Sequence, residues 1–256
     1  MKNNVLLCML FAFILTGCMG ESSSSGSDSN GGVGGSMARF TIRDNYLYTV
    51  DNQTLKTIDI SNPGQPLYLK GRDQKLGFDI ETIFAMDTLL FIGSQSGMYI
   101  YDVTHPDLPQ ILSQVSHIRS CDPVVAFGNY AYVTLNSENT WCGRVSNVLQ
   151  VYDISNTHNP VLKQTVTGFV SPRGLGVDGK KLFICDNGLK VYDITDPVYP
   201  RWMDDLTYIS EASGIDTYDV IPLNGLLLVV GADGLYQFDY RGDKLKFVSK
   251  IEIVRQ

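Results

Sequence analysis

The residues of this chain that could do chemistry are few, and their spacing argues against catalysis. Its three histidines, His105, His117 and His158, stand alone. None belongs to an HExxH pattern or has a second histidine at ligand spacing. His105 and His158 fall in polar turns and read as solvent-exposed residues. The run Gly93-Ser94-Gln95-Ser96-Gly97 has the outline of a nucleophile elbow. Gln95 holds the place of the nucleophile, and the run joins two strands rather than a strand and a helix, so it reads as a hairpin loop. Five aspartates, Asp59, Asp102, Asp153, Asp193 and Asp239, recur along the chain. Calcium needs about six to eight oxygen ligands in one place, and one carboxylate per repeat does not supply them. A short carboxylate accepting the amides of its own turn is the expected role. Cys121, Cys142 and Cys185 include no CxxC pair that would suggest a metal centre. No catalytic residue, metal ligand or cofactor is assigned from the sequence.

One arrangement does suggest a binding site. Counting back eight residues from Leu89, Tyr130, Lys181 and Leu227 gives Glu81, Asp122, Arg173 and Asp219. Ala38 holds the matching place in the first repeat. Three acids and one guanidinium around a shared opening would favour a cation, an amine or a sugar, and low-dielectric walls would focus their field. Trp141 and Arg144, in the polar stretch 136–147, would add a recognition element over the same opening.

Whether these groups share an opening depends on the elements that carry them. Each recurring Asp ends an apolar run, as in Leu189-Lys190-Val191-Tyr192-Asp193-Ile194-Thr195-Asp196-Pro197. The copies lie 40 to 51 residues apart. Ser or Thr follows two residues after the first four aspartates, and proline seven after, so the segment reads as a strand and its turn. Two further apolar runs precede each copy and one follows it. Gly128-Asn129 and Asn224-Gly225 are tight-turn pairs between runs. Four short strands per period of this length is the pattern of propeller blades. Continuous apolar runs such as Leu226–Val230 fit strands buried on both faces. The expected fold is all-β, a five-bladed β-propeller with four antiparallel strands per blade. The blades are expected at about 38–73, 80–117, 122–167, 173–209 and 217–254, and the first and last to meet by packing whole sheets. In that fold Glu81, Asp122, Arg173 and Asp219 would ring the mouth of the central channel.

The stretches Leu149–Ser155 and Leu189–Pro200, and more weakly Met98–Pro106, resemble the LVIVD-repeat family of bacterial secreted and surface proteins. The resemblance spans roughly residues 38–256 and implies a β-propeller. It implies no particular activity. The first repeat, with Lys56-Thr57-Ile58-Asp59, and the fifth, which lacks the proline turn, depart most from the pattern.

The first residues read as an export signal. One lysine, an apolar run from Val5 to Leu15 and Leu15-Thr16-Gly17-Cys18 make a secretory signal peptide over 1–17. Leu-Thr-Gly-Cys resembles a bacterial lipobox, which would make Cys18 the lipidated first residue. Met19 after it resembles the sorting pattern for the outer membrane. Residues 18–37 are rich in Ser and Gly and read as a flexible tether. Loss of Lys2 with the signal leaves 19 basic against 27 acidic side chains. That balance argues against nucleic acid as a partner, and leaves the membrane to be reached through the lipid. In an oxidising envelope two of Cys121, Cys142 and Cys185 are expected to pair. Cys121–Cys142 is the favoured disulfide, because it would staple the 136–147 insertion, with Cys185 a competing partner.

The expected function is a non-catalytic scaffold in the cell envelope that binds a protein or carbohydrate ligand. The alternative is a hydrolase or lyase acting on a sugar or lactone at the channel mouth. The anchor is directly testable. Cells fed a clickable fatty acid should label the wild-type protein and leave Cys18→Ala unlabelled; equal labelling would remove the lipobox reading.

Overall fold

The computed structural model describes residues 35–77, 79–116, 123–136, 147–203, 214–242 and 244–253. They form five antiparallel sheets in chain order. Blade one comprises β1 (Phe40–Arg43), β2 (Tyr46–Val50), β3 (Thr54–Asp59), β4 (Leu67–Tyr68) and a short extra strand, β5 (Gln74–Lys75), which also pairs with β3. Blade two has β6 (Ile80–Met86), β7 (Leu89–Ser94), β8 (Gly97–Asp102) and β9 (Gln110–Ser116). Blade three has β10 (Val124–Phe127), β11 (Tyr130–Leu135), β12 (Val148–Asp153) and β13 (Val161–Val166). Blade four has β14 (Pro172–Asp178), β15 (Lys181–Asp186), β16 (Leu189–Asp193) and β17 (Arg201–Trp202). Blade five has β18 (Thr217–Leu223), β19 (Leu226–Gly231), β20 (Gly234–Asp239) and β21 (Lys246–Glu252). The architecture is the expected five-bladed β-propeller.

The repeat sequence builds this by local hydrogen bonding. Every inner hairpin opens on a residue with positive φ: Asp44, Asp87, Gly128, Gly179 and Asn224. These are residue types that tolerate the left-handed region, which a two-residue hairpin turn needs. The second residue of each such turn then accepts the amide that follows the repeat Asp, from Ile60 to Asn45, Val103 to Thr88, Ile154 to Asn129, Ile194 to Lys180 and Tyr240 to Gly225, at 2.8–2.9 Å. The repeat Asp itself accepts the amide two residues on in all five blades, at 2.7–3.0 Å. Side-chain hydrogen bonds are the main reason that all five carboxyls lie below the usual range, Asp193 and Asp239 at about 2.

The turn also fastens neighbouring blades. Four residues after the repeat Asp, the carbonyl of Pro106 accepts Tyr48 Oη of blade one at 2.8 Å. At the same place Thr157 accepts Ser113 Oγ of blade two at 2.6 Å, and Pro197 accepts Tyr132 Oη of blade three at 3.1 Å. Proline leaves this carbonyl outside any ladder, so a neighbour can claim it.

Apolar cores fill the clefts between successive blades. Tyr48, Leu55 and Leu90 meet between blades one and two, and Phe91, Ile100 and Val133 between two and three. Tyr132, Leu175 and Leu182 meet between three and four, and Phe183, Val229 and Phe238 between four and five. Strands β7, β11 and β15 are accordingly buried on both faces after their first residue. Among the described residues, no such cluster joins blade five to blade one. Strand β19 instead alternates between buried and half-buried positions, and Phe40 of β1 is 58% exposed. The expectation of whole sheets holds, since β1 stays in blade one and β21 in blade five. The described residues form no fully buried apolar cluster between them: Leu226, Leu228 and Val230, on the face of β19 turned away from blade four, are only half-buried.

Tyr132→Phe keeps the ring in its core and removes only the donor to Pro197. It should lower stability by about 1 kcal/mol, the usual net value of one such bond. Urea denaturation of wild type and variant measures this, and equal midpoints would show that the bond contributes nothing.

Candidate functional site

Of the sequence-predicted ring, Glu81, Arg173 and Asp219 are each engaged by other groups, and Asp122 lies outside the described residues. Glu81 accepts Gln95 Nε2 at 3.1 Å. Arg173 donates to Asp216 Oδ1 at 2.6 Å and lies 5.0 Å from the centre of the Tyr218 ring. Asp219 is not in their register. Strand β19 begins at Leu226 rather than Leu227, and Leu226 pairs with Leu223 as Leu89 pairs with Met86 and Lys181 with Asp178. Tyr218 therefore holds the place of Glu81 and Arg173. A slip of one residue turns a strand side chain to the opposite face.

Asp219 instead receives the chain's own N-terminal segment. Ser36 Oγ donates to Asp219 Oδ1 at 3.1 Å, the Met37 amide to Oδ2 at 3.2 Å, and the Val220 amide to Oδ1 at 2.9 Å. Burial dominates over these bonds and pushes the Asp219 carboxyl up to about 6. Ser36, only 1% exposed, also accepts the Leu175 amide of blade four on its Oγ at 2.7 Å. Two residues later the Ala38 carbonyl accepts the Ile83 amide of blade two at 2.9 Å. The approach is tight: a Cβ on Gly174 would lie 2.3 Å from Asp219 Oδ1 and 2.7 Å from the Tyr218 carbonyl oxygen. Residues 35–38 thus form a polar hook linking the inner strands of blades two, four and five. Sequence reading placed residues 35–37 in the tether and Ala38 at the entry of blade one, and missed the hook, since Gly-Ser-Met-Ala carries no pattern of its own.

A separate recess lies on the same face of the propeller, where the inner strands begin. It is a cavity of about 610 Å³ against the blade-one side of blade two. Tyr99 and Tyr101 of β8, Gln114 of β9, and Gln95 and Ser96 of the β7–β8 turn line it. The linker residues Leu76, Gly77 and Asp79 border it from blade one. Gln114 Nε2 donates to Tyr99 Oη at 3.2 Å. A Cβ on Gly77 would come 2.4 Å from Tyr99 Oη, so glycine lets the linker pass the phenol. Asp79 adopts a φ of 58° and its carbonyl accepts the Gln95 amide at 3.1 Å, which ties linker to turn. Burial pushes the Tyr101 hydroxyl up to about 12, so it stays protonated at neutral pH. The run Gly93–Gly97 is the hairpin that its sequence suggests, and its contribution to a cavity lining is new.

Other expected residues divide in two. Cys18, Cys121, Cys142, Asp122 and Trp141 lie outside the described residues. Cys185 is a free thiol in the core between blades four and five, and burial raises its pKa strongly. No group of three metal-ligating side chains gathers among the described residues.

Ser36→Ala would leave the buried Leu175 amide without its acceptor. An unsatisfied buried amide costs about 1–3 kcal/mol, so the variant should melt lower and its first residues should be cut sooner by a protease. Unchanged melting and cleavage would show that the hook is dispensable.

A model of the LVIVD repeat matches residues 34–72 and 118–168. No curated protein matches the sequence. Among solved structures, a functionally unknown protein from Desulfotomaculum acetoxidans is similar at 12% identity, with 87% of this chain and 69% of that one covered and a TM-score of 0.64. A protein from Lactobacillus plantarum is similar at 14% identity, over 81% and 68% of the two chains, with a TM-score of 0.61. AztD from Citrobacter koseri is similar at 13% identity, over 82% and 63%, with a TM-score of 0.57. Identities this low speak to the fold alone. Blade architecture and the turn bonds of the five aspartates agree: the chain is a five-bladed β-propeller, two stretches of which match the LVIVD repeat.

Proposed function

We propose that this propeller is a non-catalytic binding module of the cell envelope, held by a lipid on Cys18, whose ligand enters the cavity beside blade two. The observation that carries this reading is the cavity itself. It falls within the size range of small-molecule sites, roughly 300–1,000 Å³, and its wall combines buried aromatic rings with amide and hydroxyl groups. Such a wall binds and orients. It holds no imidazole or thiol among its lining residues, and its one carboxylate, Asp79, has no second acid beside it in that lining. A hydrolase or lyase at the channel mouth is less well supported, because Asp219 is engaged by Ser36 and Met37. The hook would also fix which face of the propeller the tether leaves from, and the cavity opens on that face.

A fragment screen by crystal soaking, followed by mass spectrometry of each hit after overnight incubation with the protein, tests the reading. Hits should lie in the cavity and be recovered unchanged. Hits confined to other surfaces would overturn the site, and a consumed fragment would overturn the non-catalytic reading.

A further inference from the structure

The five blades put one repeat position to different uses, and the contrast bears on what the cavity beside blade two can hold. Three residues before the repeat Asp stand Lys56, Tyr99, Gln150, Lys190 and Tyr236. In blade one, Lys56 Nζ lies 2.7 Å from Asp51. In blade four, Lys190 pairs with the buried Asp186 and sits 5.2 Å from the Phe169 ring and 5.7 Å from the Trp202 ring. In blade five a tyrosine, Tyr236, takes the place, and its partner across the ladder, Lys250, supplies the ammonium. Lys250 Nζ is 5.1 Å from the centre of the Tyr236 ring and 2.8 Å from Asp233, which also accepts Tyr236 Oη at 2.6 Å. Each of these three blades satisfies the position with its own cation and its own carboxylate.

Blade two keeps the frame of blade five and removes both charges. Tyr99 stands for Tyr236, and Gln114 pairs with it across the ladder as Lys250 pairs with Tyr236. Ser96 is the second residue of the hairpin turn, where blade five has Asp233. Ser94 ends the second strand, where blades one and four have the carboxylates of Asp51 and Asp186. Where blade five places a lysine over its ring, blade two has open space. Lys75 and Asp79 on the wall bring one charge of each sign.

We infer that this cavity takes a neutral polyhydroxyl ligand, a mono- or disaccharide unit. The inference rests on the cavity being the ligand site. The places where the other blades set a carboxylate beside their ammonium both carry serine here, and the one acid of the wall, Asp79, is offset by Lys75, so the lining offers no net negative charge for an ammonium ligand. An anionic ligand would need an excess of cations, which the wall lacks. The amides of Gln95 and Gln114, the Ser96 hydroxyl and the two phenols offer donors and acceptors in the mixture that sugar hydroxyls match. Ile111 and Leu76 supply apolar surface for the C–H faces of a sugar ring.

The test is calorimetric titration of the full chain with three probe sets: neutral disaccharides (maltose, cellobiose, chitobiose), spermidine, and glucuronate. At least one neutral disaccharide should bind. The double variant Gln114→Lys with Ser96→Asp rebuilds the blade-five pair inside the cavity and should weaken that binding by about tenfold or more, the equivalent of one lost hydrogen-bonded contact or two. Thr165→Lys, the ladder equivalent in blade three, should leave it unchanged. Spermidine binding that the double variant abolishes would keep the site and overturn the ligand class. Binding of none of the neutral disaccharides would overturn the class as well. A disaccharide bound equally by wild type and double variant would overturn the site itself. Should the double variant fail to fold, Gln114→Ala carries the same comparison, with an expected loss of about fivefold.

Discussion

The bond from the repeat carboxylate to the amide two residues on is what the rest of this molecule depends on. It closes the turn after the third strand in every blade. The closed turn presents the next amide to the inner hairpin and leaves the carbonyl at the fourth position for the preceding blade. One side chain thereby organises a contact within its blade and another between blades. The same bond couples the fold to acidity. Carboxyls held near 2 in the fold and near 3.8 in the unfolded chain add stability above pH 3.8 and lose it as pH falls toward 2. These groups are exposed, so solvent screens much of that contribution.

Asp219 obeys the opposite rule. It is largely buried, and its carboxyl is raised to about 6, so ionising it costs stability as pH rises from 3.8 through 6. Three donors, from Ser36, Met37 and Val220, offset part of that cost. The hook they form links residues 36 and 37, just ahead of blade one, to blades four and five, and the described residues supply no buried apolar cluster between blades five and one. Among the described residues, the contacts of residues 36 and 37 with blade five are polar and specific. Blade two shows a similar economy: the charges that fill its sister blades are absent, and a cavity stands in their place.

The fold was legible because its signals are repeated. Tyr101, Tyr152, Tyr192 and Phe238 before the repeat Asp, and Val103, Ile154 and Ile194 after it, recur with the same neighbours and are buried for the same reason. The site was less legible. The count that grouped Asp219 with Glu81 and Arg173 failed by one residue, because five consecutive apolar residues, Leu226 to Val230, do not show which of them begins the strand. Nothing in Gly35-Ser36-Met37 announces a hook, since its partners lie about 140 and 180 residues away. The cavity could not be read at all from Gln95, Ser96 and Gln114 in isolation. It emerges only when blade two is set beside blade five, a comparison that requires the ladder registers.

The completeness of each blade bears on how such chains change over time. Every sheet is built from one uninterrupted stretch of sequence, so duplicating or deleting one stretch adds or removes a whole blade and leaves the ladders of the others intact. Propellers that lend a strand across their ends lack this freedom, because the loan must be preserved. Here the requirement passes to the few polar atoms of the hook, which must find an Asp219 at the right place on the last inner strand. Gene rearrangement is therefore constrained less by the ladders than by the hook, whose contacts on blades two, four and five must be inherited together.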